Sequence, residues 1–79
     1  MTHLAELPDG AKGRVVSVSG EPLLRERLVE LGFTPGTLVE IRARAPMGDP
    51  IDVKLRGGLL AVRGDEAACI QIETECPSG

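Results

Sequence analysis

The run from Leu23 to Pro50, LLRERLVELGFTPGTLVEIRARAPMGDP, changes its periodicity once and abruptly, and that change limits the folds open to the chain. Leu24, Leu28 and Leu31 fall at i, i+4 and i+7, a single apolar stripe on a helix. From Val39 onward the spacing is that of a half-buried strand, with Val39, Ile41 and Ala43 alternating with Glu40, Arg42 and Arg44. Between the two lie Gly32, a left-handed helix stop, and Thr34-Pro35-Gly36-Thr37, with Pro then Gly at the centre of a type II turn. Pro22 suits the first helical position, where a missing N–H costs nothing. Glu21 sets negative charge at the positive end of the helix dipole and precedes Arg25 by four residues, the favourable order for an ion pair.

The rest of the chain has period two. Val16 and Val18 share one face of a strand beginning near Gly13. Ahead of it, Leu4, Ala5 and Leu7 form a short strand or an apolar plug, closed by the turn Pro8-Asp9-Gly10. Ile51 to Arg56 alternates without a fault, and Gly57-Gly58 reads as a two-residue hairpin loop. That loop sets Arg56 opposite Leu59, Leu55 opposite Leu60 and Val53 opposite Val62. Gly64-Asp65-Glu66 turns the chain into a last strand with Ala68, Ile70 and Ile72 inward and Cys69, Gln71 and Glu73 outward. The expected fold is mostly β with one main α-helix: a small SH3-like barrel of about five strands, the helix between the first and second. An OB-like barrel needs more residues and a helix after the third strand. Residues 1–75 are expected to form one domain and residues 76–79 a disordered tail.

Composition narrows the function. Phe33 is the only aromatic residue, so bases and proline-rich ligands find nothing to stack on. The net charge of −3 disfavours bulk attraction to nucleic acid, yet Arg42, Arg44, Lys54, Arg56 and Arg63 against Asp49 and Asp52 leave a local excess of +3. There is no long apolar run and no basic-then-apolar leader, which implies neither a membrane span nor a secretory signal. Two cysteines, Cys69 and Cys76, are too few for a disulfide framework, which favours cytoplasmic residence. No catalytic or cofactor-binding residue is expected: the one histidine, His3, lies near the terminus, and no Lys-Ser/Thr follows Gly57-Gly58. A tight metal site is not expected either. His3, Cys69 and Cys76 fall short of four N or S ligands, and Asp65-Glu66 would hold a hard cation only weakly.

The chain resembles the FeoA family of small cytosolic proteins of ferrous iron transport. The resemblance rests on Leu7-Pro8-Asp9-Gly10, Val15-Val16-Ser17-Val18, the spacing Arg27-Leu28-x-x-Leu31-Gly32-x-x-Pro35-Gly36 and the loop Ala45-Pro46-Met47-Gly48-Asp49-Pro50. It closes with Leu60-Ala61-Val62-Arg63 and the final strand. The same SH3-like module ends DtxR-type metal-dependent repressors. The resemblance implies a non-enzymatic accessory that contacts the cytosolic part of the FeoB permease. The expected contact region is the helix, through Leu23, Leu24, Arg27 and Val29, together with the stiff loop at Pro46, Met47, Asp49 and Pro50. Leu23 and Val29 lie off the main stripe and, where partly exposed, would form an apolar notch beside that loop; Leu23 is expected partly packed rather than free. Arg42, Arg44, Lys54 and Arg56 would steer the encounter. A metal-responsive module acting on a transcriptional complex, or a small nucleic-acid-binding barrel, are the alternatives. A sheet edge leaves room for a weak homodimer.

Overall fold

Side-chain alternation and two interruptions of it shape the sheet. The structure, a computed structural model, describes residues 2–47 and 49–74. The strands are β1 (Thr2–His3), β2 (Lys12–Val18), β3 (Leu38–Arg44), β4 (Ile51–Leu55), β5 (Gly58–Val62) and β6 (Ile70–Thr74). They form one antiparallel sheet in the order β1-β6-β2-β3-β4-β5. The main helix, α1 (Pro22–Leu31), lies between β2 and β3. The five expected strands are therefore present, and a two-residue strand added at the edge makes six. The lead-in is both things expected of it: β1, then a 3-10 turn at Leu4–Glu6 that buries Leu4 and Leu7.

The core is aliphatic around a single ring. Val39, Ile41, Ile51, Val53, Ile70, Ile72, Leu28 and Phe33 are all 0% exposed, and no polar or charged residue is buried among the described residues. Gly32 ends α1 in the left-handed region at φ 118°, and its N–H closes on Val29 O at 3.0 Å. Gly36 at φ 91°, with Thr37 N donating to Thr34 O at 3.0 Å, completes the type II turn.

Four expectations are corrected. A bulge between Val15 and Ser17 shifts the phase of β2, so Val15 is buried and Val16 is 36% exposed. In α1 only Leu28 is fully buried; Leu24 is half-buried and Leu31 is 41% exposed, because Phe33, just past the helix stop, takes the core position. The hairpin turns on Arg56-Gly57, pairing Leu55 with Gly58, Val53 with Leu60 and Ile51 with Val62. Both registers keep the same residues on the same face, so the apolar pattern could not separate them. Arg56 at φ 52° and Gly57 at φ 80° give the doubly positive turn that matches strand twist, at roughly 1 kcal/mol for a non-glycine residue. Last, Gly64–Ala67 is one helical turn, α2, so Ala68 caps it and is exposed while Ala67 is buried. The tail expected at 76–79, with Cys76, lies outside the described residues.

Gly13 fixes how closely β2 crosses β6: a Cβ there would stand 2.3 Å from Ile72 Cγ2 and 3.0 Å from Glu73 O. Ile72 is fully buried and cannot swing away. Gly13→Ala is expected to cost about 1–3 kcal/mol and to lower Tm by roughly 5–20 °C, read by thermal circular dichroism. At the β1 edge, Thr2 Oγ1 donates to Glu6 Oε1 at 2.7 Å and His3 Nε2 lies 3.3 Å from the same oxygen. The hydroxyl, then the imidazole charge, hold the Glu6 carboxyl below its ordinary value. A lowered carboxylate stabilises the fold above its unfolded pKa, and that contribution is lost as pH falls through the folded value. An NMR titration should find Glu6 protonating below the ordinary glutamate range, and Thr2→Val should move the midpoint up.

Candidate functional site

The described residues group few chemical donors. No three His, Cys, Asp or Glu side chains among them are placed to hold a metal ion. His3 sits on β1, and Cys69 precedes β6 with its Sγ donating to Asp65 O at 3.5 Å. What the fold arranges is its exterior, and it arranges two surfaces.

The first joins α1 to the loop at 45–50 by way of α2. Arg27 Nη1 lies 3.9 Å from Glu66 Oε2, and Asp49 Oδ1 accepts from Gly64 N at 2.8 Å. One short helical turn thus fixes both the helix flank and the loop. Leu23 is 81% exposed and Met47 90%. Pro46 and Pro50 are exposed beside Met47, and the Asp49–Pro50 peptide is cis. Leu23 was expected to be partly packed. It is free because it lies about 120° around the helix from the direction shared by Leu24 and Leu28. Val29, 40% exposed, lies about 120° from Leu23 on the opposite flank, so the two form no common notch.

The second surface is the outer face of β2, β3 and β4. Register sets Lys12 beside Glu40, Glu40 beside Lys54, and Lys54 beside Leu59, one row across four strands. A groove of about 310 Å³ runs along it between Lys12, Leu38, Glu40, Lys54 and Arg56. A shallower depression of about 440 Å³ adjoins it over the turn Thr34–Leu38. Arg56 Nη2 donates to Thr34 Oγ1 at 3.2 Å and Arg14 Nη1 to Gly36 O at 3.1 Å. Arg42 Nη1 stands 3.8 Å from Glu40 Oε2 and is half exposed.

Arg44 leaves this group. A bulge between Ile41 and Ala43 reverses the alternation, so Ala43 faces out and Arg44 turns toward the lead-in. There its Nη2 donates to Ala5 O at 3.1 Å and also to Leu7 O. Its Nε lies 3.5 Å from Asp9 Oδ1. Arg44 is a fastener, not a steering charge. Lys12 and Arg14 of β2 and Leu38 of β3 take its place on the outer face; the bulge after Val15, which breaks the shared face read for Val16 and Val18, hid the first two. The expected site also spans opposite ends of one hairpin. Pro46–Pro50 caps one end of β3 and β4, and Arg56 the other, about 17 Å away along five residues.

A bent antiparallel sheet around an aliphatic core, one helix after its first long strand and its polar chemistry confined to the surface together define an SH3-like barrel. The chain matches the FeoA domain model over residues 2–74 and belongs to the FeoA family. It is 31% identical over 71 residues to an Fe(2+) transport protein A/Fe(2+) transporter FeoB fusion protein of Porphyromonas gingivalis, covering 90% of this chain and 8% of that protein. The solution structure of FeoA from Chlorobium tepidum is 37% identical with a TM-score of 0.89, covering 99% of this chain and 74% of that one. FeoA of Stenotrophomonas maltophilia, a prokaryotic SH3-domain protein solved with zinc, is 31% identical with a TM-score of 0.80, covering 92% and 91%. A manganese-dependent transcriptional repressor shares the fold alone, at 19% identity and a TM-score of 0.83 over 92% of this chain and 41% of that one. No helix of the described residues is long and apolar enough to cross a membrane.

The two arginines of β3 separate fastening from steering. Arg44→Ala leaves the Ala5 and Leu7 carbonyls without their donor and is expected to cost about 1–3 kcal/mol. Arg42→Ala, on an exposed pair, should stay within about 0.5 kcal/mol. Urea unfolding of the two variants checks the contrast.

Proposed function

We propose that the protein is a cytoplasmic accessory of ferrous iron uptake that binds the cytosolic part of a FeoB-type permease and acts by contact, without catalysis. The observation that carries this reading is the fusion protein, in which a domain 31% identical to this chain is covalently joined to FeoB. Covalent linkage holds the two at high effective concentration, the arrangement that a contact between them would use. The surface offered for that contact is the α1 flank with the 45–50 loop. Leu23 and Met47 are its apolar anchors. Arg27 and Asp49 are its rim, Asp49 held by Gly64 N of α2 and Arg27 standing 3.9 Å from Glu66. Side chains fixed before binding lose little entropy when the partner arrives. Arg42, Lys54 and Arg56 add long-range attraction for an acidic partner, acting on association rate.

The test is a titration of the cytosolic part of the permease by isothermal calorimetry. Leu23→Glu, with circular dichroism unchanged, is expected to weaken binding by about tenfold or more. Arg42→Ala is expected to slow association and flatten its salt dependence while leaving dissociation nearly unchanged. Wild-type affinity in Leu23→Glu would remove α1 from the contact.

A further inference from the structure

The outer face carries two neighbouring rows of side chains. Register sets Lys12, Glu40 and Lys54 side by side in the first. In the second, Leu38 lies beside Arg14, and the step that follows Val39 and Leu55 brings Arg56 to its other side. The groove spans both rows and shares Leu38 and Arg56 with the depression over the turn. Three cations, Lys12, Lys54 and Arg56, line these two hollows against one carboxylate, Glu40. All three are exposed, and among the described residues none has a carboxylate within ion-pair distance. Glu40 stands 3.8 Å from Arg42 instead. Over the whole face Arg14 and Arg42 join the cations, and Asp52 and Glu73 the carboxylates, which leaves five against three. Arg56 is held at the junction of the hollows, its Nη2 donating to Thr34 Oγ1 at 3.2 Å. Leu38, 41% exposed, is the apolar surface between the charges.

We propose that this groove seats an extended segment of the permease partner that carries two carboxylates three residues apart, with an apolar residue between them. That the segment belongs to the permease rests on the function proposed above. Charge complementarity sets the ends of the segment. Lys12 and Lys54 stand on β2 and β4 with β3 between, about 10 Å across the sheet. Three residues of extended chain cover about 10 Å. Glu40 sets the middle. It lies between the two lysines, so a further carboxylate placed there meets like charge. Leu38 offers the intervening apolar side chain a surface to cover. Nucleic acid finds no ring for its bases, because Phe33 is fully buried. A second copy cannot supply the segment either. The spacing occurs twice in this chain, in Glu6-Leu7-Pro8-Asp9 and Asp49-Pro50-Ile51-Asp52, and Leu7 and Ile51 are both buried in the core.

NMR of the whole chain tests this, with the cytosolic part of the permease and synthetic peptides as probes. The peptide Glu-Pro-Leu-Glu, blocked at both termini and added to millimolar concentration, should shift the amides of Lys12, Leu38, Glu40, Lys54 and Arg56. Gln-Pro-Leu-Gln should leave them in place. The permease part should shift the same amides. Leu38→Ser changes no charge and so leaves steering intact; it should raise the dissociation rate of the permease part about fivefold at an unchanged association rate. If that variant fails to fold, the wild-type shifts decide alone. Permease binding that leaves these amides unmoved, or an unchanged dissociation rate in Leu38→Ser, overturns the groove and keeps the partner. Shifts with the Glu peptide but no binding of the permease part overturn the partner and keep the groove. Equal shifts from the Glu and Gln peptides, or none from either, overturn the charge complementarity on which the proposal stands. Tighter binding of Glu-Glu-Glu-Glu overturns the selection by Glu40. Shifts produced by phosphatidylserine vesicles and not by the Glu peptide assign the face to anionic lipid, and shifts that grow with the concentration of the chain alone assign it to a second copy; each overturns the proposal.

Discussion

Curvature is the constraint on which this structure depends, and two bulges supply it. A chain of 79 residues with one aromatic side chain cannot fill the space between two flat layers. It must wrap a single sheet around its own inner face. The bulges at Val16 and Arg42 bend β2 and β3 at the points where the sheet has to turn. The bend brings β6 against β2 so closely that Gly13 has no room for a side chain. The inner rows of aliphatic residues then meet one another, with Phe33 and Leu28 sealing the side that the helix covers.

Each bulge also reverses which residues face out, and this decided how much could be read in advance. The regular stretches were legible. Ile51, Val53 and Leu55 alternate without interruption and all face the core. Gly32 and Pro35-Gly36 carry backbone requirements that few other residues meet, so the helix stop and the turn were legible too. A bulge has no such signature. Val15-Val16 and Arg42-Ala43 hold no residue type that marks an extra position, so alternation carried past them set Val16 on the face of Val18 and Arg44 outward. The hairpin failed for a related reason. Moving the turn from Gly57-Gly58 to Arg56-Gly57 preserves every inward side chain, and only an arginine at positive φ distinguishes the two. The surface residues inherited these errors: Lys12 and Arg14 were hidden by the phase of β2, and Arg44 was promoted by the phase of β3.

The exterior that results has a division of labour rooted in electrostatics. The chain is acidic overall, yet Lys12, Arg14, Lys54 and Arg56 gather around the groove on the outer sheet, with Glu40 set between two lysines by register. Charge separation of this kind gives a small protein a direction in the field of an acidic partner, whereas apolar residues far from the charges hold the partner once it arrives. Leu23 on α1 and Met47, at the end of the hairpin away from Arg56, are the most exposed large apolar side chains of the described residues. The same α2 turn that buries Ala67 meets Arg27 through Glu66 and Asp49 through Gly64 N, so one turn links the helix flank to the loop.

A small domain has little stability in reserve, and this limits where it can keep binding features. Features that displace core contacts are expensive; features on an edge or a flank cost the fold almost nothing. Leu59 and Ala61 show the distinction within one strand. Their neighbours Leu60 and Val62 complete the β4 ladder and face inward, whereas Leu59 and Ala61 leave both side chain and main chain outside it. An uncharged open edge would ordinarily invite self-association. Arg56 at one end of β5, and Arg63 among Asp49, Asp65 and Glu66 at the other, bound its apolar run with charge, one of the guards that native edges carry.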